Sequence, residues 1–305
     1  MDPLSDAIGA MRVGRPHSTE IRKRAPWRVR AEPFSGAGFH VVLEGTCWLL
    51  PPDGAPVALG AGDVVCLPHG SGHTLADSPS TPAAGASSAL LPELAPVTDD
   101  GAGAAAVLLC GAYTLDRTRP HPLFAELPEV IHLPARADHR GPLHAAVNLL
   151  GDEVANPEHR TEAVVSALLD VLLLYIVRAW LTQRTADDEP VTGWAAALRD
   201  PVVAAALRHI HEEPTQPWTV ETLGAKAGLS RAAFARRFTS LVGQPPLAYL
   251  TWWRMTLAAR LLRDSDKPLP AIAHRTGYTS EFAFAKAFKR EHGLPPGQYR
   301  QRSRN

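Results

Sequence analysis

The chain has 305 residues, 45% of them hydrophobic, with 31 basic side chains balanced by 31 acidic ones. That content excludes a fibrous or wholly disordered chain, and the length suits two packed cores rather than one. The balance conceals opposed halves: Pro201 to Asn305 holds 16 Lys or Arg against 7 Asp or Glu, and the residues before it hold 15 against 24. A basic half gains by releasing counterions from a polyanion, although charge alone does not choose among DNA, RNA and a membrane surface.

In chain order, the stretch from about Ser18 to Leu75 is β-rich, with short apolar runs at Phe39–Leu43, Cys47–Leu50, Val57–Leu59 and Val64–Leu67 between turn residues. Ser78 to Ala106 is dominated by Ala, Pro, Ser and Gly and reads as a surface insertion, with a helical turn around Leu90–Leu94. Strand character returns at Val107–Tyr113 and Val130–Leu133, and helical periodicity at Pro142–Asp152 and Thr161–Gln183. A polar linker follows from Thr185 to Thr192. Beyond it the pattern is all helical: Pro201–Glu213, Val220–Ala227, Arg231–Val242, Leu247–Arg263, Pro270–Thr276, Glu281–His292 and a short piece at Pro296–Arg300.

Cys47, Cys66 and Cys110 are odd in number and irregularly spaced, which argues against a disulfide framework and for a reducing, cytoplasmic setting. Asp2 and Asp6 precede any basic residue and no apolar run follows them, so the start does not read as a signal peptide. Val164–Leu181 approaches membrane-span length, yet Asp170 and Arg178 interrupt it. Either would cost about 2.5 to 3.5 kcal/mol at a bilayer centre, so a buried helix and no membrane partner are expected.

The decisive pattern is internal. Leu223 and Ala227-Gly228-Leu229-Ser230 lead into Phe234 and Phe238, then Gly243, Pro245-Pro246 and Tyr249; Ile272 and Thr276-Gly277-Tyr278 lead into Phe284 and Phe288, then Gly293, Pro295-Pro296 and Tyr299. From the phenylalanines onward each position recurs at an offset of 50. In each copy a short helix ends at a glycine able to turn left-handed, and Ser230 or Ser280 can cap the next helix. The phenylalanines, four apart, share one face; Arg236 and Arg237, or Lys286, Lys289 and Arg290, lie off it, where bases or phosphates would meet them.

Trp218 to Ser230, the helix Trp253 to Leu262, and Ile272 to Ser280 with the closing Gly293 to Arg300 resemble the DNA-binding domain of AraC-type transcriptional regulators. The resemblance implies double-stranded DNA as partner, with two recognition helices in successive major grooves, RNA polymerase as a further partner, and a homodimer. It places the DNA-binding positions on Ser230, Arg231, Ala232, Ala235, Arg236 and Arg237, and on Ser280, Glu281, Phe282, Ala285, Lys286, Lys289 and Arg290. Ala232 and Ala235 offer only apolar contact, so Arg236 is the candidate for a guanine; Arg237, Lys289 and Arg290 suit phosphates.

Gly62 to His73 resembles the second motif of cupins, with Asp77 where that motif has Asn, and Phe39-His40 to Gly45 resembles the strand and turn of the first. His73 keeps a metal-ligand position, and His40 lies on a strand whose alternate residues point inward, so both are candidates for an effector pocket. Two histidines make half a metal site; a divalent metal would need Cys47, Cys66 or another His, and otherwise both are hydrogen-bonded pocket residues. The stretch Leu108 to Leu123 resembles a subgroup of these regulators in which some members sense oxidants through cysteine, which makes Cys47, Cys66 and Cys110 redox candidates, against the alternative of inert core thiols.

The expectation is therefore an α+β protein: a cupin-like β-barrel with a helical dimerisation segment over 1–185, a linker over 186–200, and an all-α double helix-turn-helix domain over 201–305. It would be a non-enzymatic regulator, an activator by resemblance, that senses a small molecule, a metal or an oxidant. A cupin-type metalloenzyme with a nucleic-acid-binding tail and a nucleic-acid-compacting protein without sequence preference are the alternatives.

Overall fold

The computed structural model describes residues 3–82, 87–89, 103–115, 121–135, 141–155, 161–186 and 193–303. Most of the expected Ser78–Ala106 insertion, including the turn at Leu90–Leu94, and residues 187–192 of the linker lie outside the described residues. The elements in chain order are α1 (Pro3–Met11), β1 (His17–Arg24), β2 (Arg28–Ala31), β3 (Gly36–Glu44), β4 (Thr46–Leu50), β5 (Val57–Gly60), β6 (Val64–Leu67), β7 (His73–Ala76), β8 (Ser87–Ala89) and β9 (Ala105–Thr114). Then come α2 (Pro122–Glu126), β10 (Ile131–Leu133), α3 (Pro142–Ala155), α4 (Glu162–Ala186), α5 (Gly193–Arg199), α6 (Pro201–Glu212), α7 (Val220–Lys226), α8 (Arg231–Val242), α9 (Pro246–Asp264), α10 (Leu269–Arg275), α11 (Glu281–His292) and α12 (Pro296–Arg302). They form two compact units, one from the described parts of Arg12–Arg117 and Leu127–Asp188, the other from those of Met1–Met11, Thr118–Glu126 and Glu189–Asn305.

The first unit is a sandwich of two five-stranded sheets, ordered β1-β9-β3-β6-β10 and β5-β4-β7-β2-β8. Its core lies between them, because alternate residues of a strand point to opposite faces. Ile21, Val42, Val65, Leu108 and Cys110 of one sheet meet Val29, Cys47, Leu49, Leu59 and Leu75 of the other. The first sheet is covered on its far face as well, so β9 reads as an unbroken apolar run rather than an alternating one. There Tyr113 donates its hydroxyl to Leu169 O of α4 at 2.5 Å, and Arg12 pairs with Asp170 of α4. The charge that interrupted the apolar run of α4 thus has a partner, and Val165, Leu169, Leu172, Leu173 and Ile176 are buried. By length and composition α4 is apolar enough to cross a membrane, but these contacts make one side of it a packed core face.

The second unit is helical, and its elements start where cap residues stand. Asp200 accepts from the backbone N–H of Val202 at 3.0 Å and of Val203 at 2.9 Å, ahead of Pro201 at the first helical position. Thr219 and Thr222 form a reciprocal capping box on α7, and Ser230 and Ser280 cap α8 and α11 through Ala233 N and Ala283 N, each at 3.4 Å. Phe234, Phe238, Phe284 and Phe288 are fully buried. The helix α9 runs between the two copies. Its Tyr249, Trp252 and Trp253 are buried at one end, and its Met255, Ala258, Ala259 and Leu262 join Ile272, Phe284 and Phe288 at the other.

Three features had no counterpart in the sequence reading. Helix α5 occupies 193–199 and buries Trp194 completely. Helix α1 and the segment from His121 to Glu126 belong to the helical unit although they flank the strands of the other. They are held by a buried polar chain: His121 Nδ1 accepts from Leu123 N at 3.1 Å, its Nε2 faces the Tyr249 hydroxyl at 3.4 Å, that hydroxyl lies 2.7 Å from His211 Nε2, and His211 Nδ1 lies 3.4 Å from Asp6. His211 also stacks on Trp253 with ring centroids 3.9 Å apart, and Glu126 receives the Trp194 N–H on both carboxylate oxygens at 3.0 Å.

Asp200 also binds Arg237 of α8, at 2.7 Å to Nε and 2.5 Å to Nη2. Asp200→Ala should therefore lower stability by about 0.5 to 2 kcal/mol in denaturant titration, while Asp200→Asn, which keeps the cap, should lose less.

Candidate nucleic-acid interface and sensory cluster

Each helix-turn-helix copy is built from a glycine outward. Gly228 and Gly277 adopt left-handed backbone at φ +67° and +80°. The same turn bond then closes both, Leu229 N to Gly224 O and Tyr278 N to Ala273 O, each at 2.9 Å. The serine cap starts the second helix, and the buried phenylalanines fix its rotation. Everything off that buried face is presented outward: Ser230, Arg231, Ala232 and Arg236 are exposed and Ala235 half-buried on α8, and Ser280, Glu281, Phe282, Lys286, Lys289 and Arg290 are exposed with Ala285 half-buried on α11.

The cations of these helices divide by what they touch. Arg237 is tied to Asp200, Arg231 pairs with Glu221 at 2.9 Å, and Arg290 pairs with Glu291 at 3.0 Å. Arg236 and Lys286, equivalent in the repeat, make no ion pair among the described residues. Arg237 consequently has a structural task, joining α8 to the start of α6, that the sequence did not reveal. Phe282 is 81% exposed, far more than a core aromatic would be, and stands one residue into the second recognition helix.

In the sandwich, β3 and β7 come from different sheets, and their inward residues meet. His40 Nε2 lies 2.7 Å from His73 Nε2, and His40 Nδ1 lies 2.9 Å from Cys110 Sγ of β9. His73 Nδ1 lies 3.0 Å from Ser71 O. A carbonyl can only accept, so His73 carries its proton on Nδ1 and accepts at Nε2. His40 must then donate from Nε2 and accept at Nδ1, which the Cys110 thiol supplies. One carbonyl thus sets the direction of the whole chain.

Burial holds both imidazoles below their ordinary range, for His40 with the neighbouring His73 adding to it, for His73 against the opposing hydrogen bond to Ser71. Both are therefore neutral near pH 7. All three cysteines are free and buried. Burial pushes the Cys66 thiol up to about 12, burial and then Asp63 push Cys47 to about 12, and burial and then Cys47 push Cys110 up as well. The three candidates separate in space: Cys47 shares the inner core with Cys110, whereas Cys66 pairs in register with Phe39, one residue out of phase with His40, and faces the other side of the sheet. Cys110 is the thiol that the histidines engage. His40 spends one nitrogen on Cys110 and the other on His73, so these donors do not converge on one point, and among the described residues no group of three or more His, Cys, Asp or Glu is arranged to hold an ion. The described donors thus offer two imidazoles, fewer than the three or four protein ligands of a zinc site.

A cupin-like sandwich followed by two tandem helix-turn-helix copies defines a DNA-binding transcription regulator. A cupin family model matches residues 2–182 and a helix-turn-helix domain model residues 223–302. An AraC-like transcription regulator of Streptomyces lividans is 34% identical over 303 residues, 99% of this chain and 98% of that protein. One from Streptomyces antibioticus is 35% identical over the same length, covering 99% of each. The transcriptional activator RclR of Escherichia coli is 31% identical over 271 residues, 87% of this chain and 84% of that one. The solved DNA-binding domain of AdpA, in complex with a target DNA, is 38% identical, covers 34% of this chain and 94% of that one, and superposes with a TM-score of 0.33. The chain belongs to the AraC-like transcription regulators.

The lowered histidines predict a pH dependence. Below the ordinary value of 6.5 the unfolded chain takes up protons that folded His40 and His73 refuse, so stability is full above that pH and declines as pH falls toward the folded values. The thermal midpoint should drop between about pH 7 and pH 5, with a shallower slope in His40→Gln, as a calorimetric pH series would show.

Proposed function

We propose that this regulator binds its operator sequence-specifically through α8 and α11, and that chemistry at Cys110 in the cupin-like domain changes that binding. The observation that carries the reading is the exposed cation at the equivalent place of each repeat, Arg236 and Lys286, without an ion pair among the described residues and backed by buried phenylalanines. Arg236 supplies hydrogen-bond readout of the first half-site, for which its guanidinium fork suits guanine. Phe282 supplies apolar contact at the second, and Lys289 and Arg290 meet phosphates. Arg236→Ala should cost about 1 to 3 kcal/mol on the operator and relax preference at one base position. Equal losses on operator and random duplex, in binding assays at matched salt, would overturn specific readout.

For the sensor, an oxidant is the effector that suits the cluster. At rest burial raises the Cys110 thiol and lowers His40, so proton transfer between them is uphill until the cluster opens to solvent and oxidant, when the hydrogen-bonded imidazole gives the proton a destination. With a peroxide, the thiolate sulfur attacks one oxygen, the O–O bond breaks, and sulfenic acid and water result while His40 holds and returns the proton. Hydrogen peroxide should alter operator affinity of the wild-type chain and leave Cys110→Ser unresponsive, with a mass gain of one oxygen on the peptide carrying Cys110. A response that survives in Cys110→Ser would refute this sensor.

The protein is further proposed to dimerise through the outer side of α4. Val164 and Val171, seven residues apart and so on one face, are 43% and 40% exposed, with half-buried Leu168 between them. Replacing both valines by Asp should convert a dimer to a monomer in light scattering, and a wild-type chain that is monomeric at micromolar concentration would contradict the interface.

A further inference from the structure

The two recognition helices are useful only if their separation is fixed, and α9 alone does not fix it, because a helix can bend or rotate against what packs on it. One side chain of α9 engages both copies at once. Arg254 is half-buried, and donates from Nε to Pro214 O at 2.6 Å and from Nη2 to Gln216 O at 2.8 Å. Those carbonyls belong to the loop that leads into α7. That loop is itself closed by Gln216 N to Glu213 O at 3.2 Å and by the Trp218 indole to Glu213 O at 3.0 Å, and it delivers the Thr219 cap of the first helix-turn-helix.

The same guanidinium lies against the turn of the second copy. A Cβ added at Gly277 would stand 2.8 Å from the Arg254 central carbon. Gly277 is the left-handed residue, at φ +80°, from which α11 is launched. The equivalent Gly228 of the first copy has open space at that position. The backbone at 277 thus favours glycine, and a methyl group there would have to displace the guanidinium that rests against it.

We propose that Arg254 is a positioning residue that sets the spacing between the two recognition helices, by bridging the loop before α7 and the turn before α11. It touches no DNA in this role. A guanidinium suits the task because its planar fork donates in two directions while its face packs, which a lysine ammonium does not do. The inference rests on the double helix-turn-helix reading of DNA binding, yet its first test needs no DNA.

Nitroxides at Ser240→Cys on α8 and Lys289→Cys on α11 of the full chain report the separation by pulsed electron resonance. The wild-type background should give one narrow distance distribution, and Arg254→Ala and Gly277→Ala should each broaden or shift it. Two substitutions that attack one contact from opposite sides guard against an unfolded variant, and a thermal melt on each confirms folding. In the second test, duplexes selected by the wild-type chain from a randomised library are lengthened by half a helical turn between the two sites. The wild-type chain should lose about tenfold or more in affinity, and the variants markedly less, because their helices no longer hold one register. An unchanged distance distribution in both variants would overturn the proposal. Failure of every chain to prefer any duplex would instead sink the DNA reading and leave the distance result standing.

Discussion

The helical unit depends on the burial of one rod, α9, between two copies of the same motif. Its first turns place Tyr249, Trp252 and Trp253 in the core, and its later turns place Met255, Ala258 and Leu262 against Phe284 and Phe288. Neither short helix pair could bury its phenylalanines alone, because two or three turns of helix are marginal without a packing partner. Sharing the rod supplies that partner to both. The exposed faces of α8 and α11 are then free to diverge in sequence without cost to the core, and that division of labour permits a stable scaffold with changeable readers.

The sandwich solves a different problem, that of holding a polar chain in an apolar interior. His40 and His73 reach each other only because β3 and β7 lie in opposite sheets and both turn the relevant residue inward. Unpaired, each ring would carry the desolvation cost of a buried polar group. Paired as donor and acceptor, with Ser71 O at one end and the Cys110 thiol at the other, every ring nitrogen is satisfied. The chain has a direction because its terminal acceptor is a carbonyl. A change at Cys110 that removed its donor would leave His40 Nδ1 without a partner, because Ser71 O keeps the rest of the chain from reversing, which is a physical route from sulfur chemistry to strand packing.

Much of this was visible in the residues. The repeat at an offset of 50 located α8, α11 and the ends of α9, since glycine turns, serine caps and phenylalanine pairs are local signals. The second copy carries one residue more between its glycine and its serine than the first, Gly277 to Ser280 against Gly228 to Ser230, and the left-handed turn absorbs it without moving the core. The strands β3, β4, β5, β6 and β9 were also legible as apolar runs. By contrast β1 buries only Ile21 fully and is otherwise charged or polar, so its pairing with β9 along eight residues could not be inferred from periodicity. His40 and His73 were foreseen as neighbours by strand alternation, but the choice of Cys110 over Cys47 and Cys66 depends on register across two sheets. Helix α5, with four alanine or glycine residues in seven, looked like the continuation of a linker. Its Trp194 is buried against His121 at 4.2 Å between ring centroids, a partner more than seventy residues away. No local pattern announces such a contact.

What recurs between the two copies and what differs sort mostly by burial. The positions that recur are buried or conformational: Phe234 and Phe284, Phe238 and Phe288, Gly243 and Gly293, Tyr249 and Tyr299. Exposed positions differ, Ala232 standing where the second copy has Phe282 and Arg231 where it has Glu281, and a few buried ones do as well, such as Val242 against His292. Packing constrains the first group because a core tolerates little change of volume, whereas the second is held at most by a surface ion pair such as Arg231 with Glu221. Under the proposed readout, that freedom lets the two helices suit contact sites that are not alike. Among the exposed positions the serine caps, Ser230 and Ser280, and a cation, Arg236 and Lys286, recur, and a double helix with unlike half-sites is a partner that would call for both that shared cation and the differences around it.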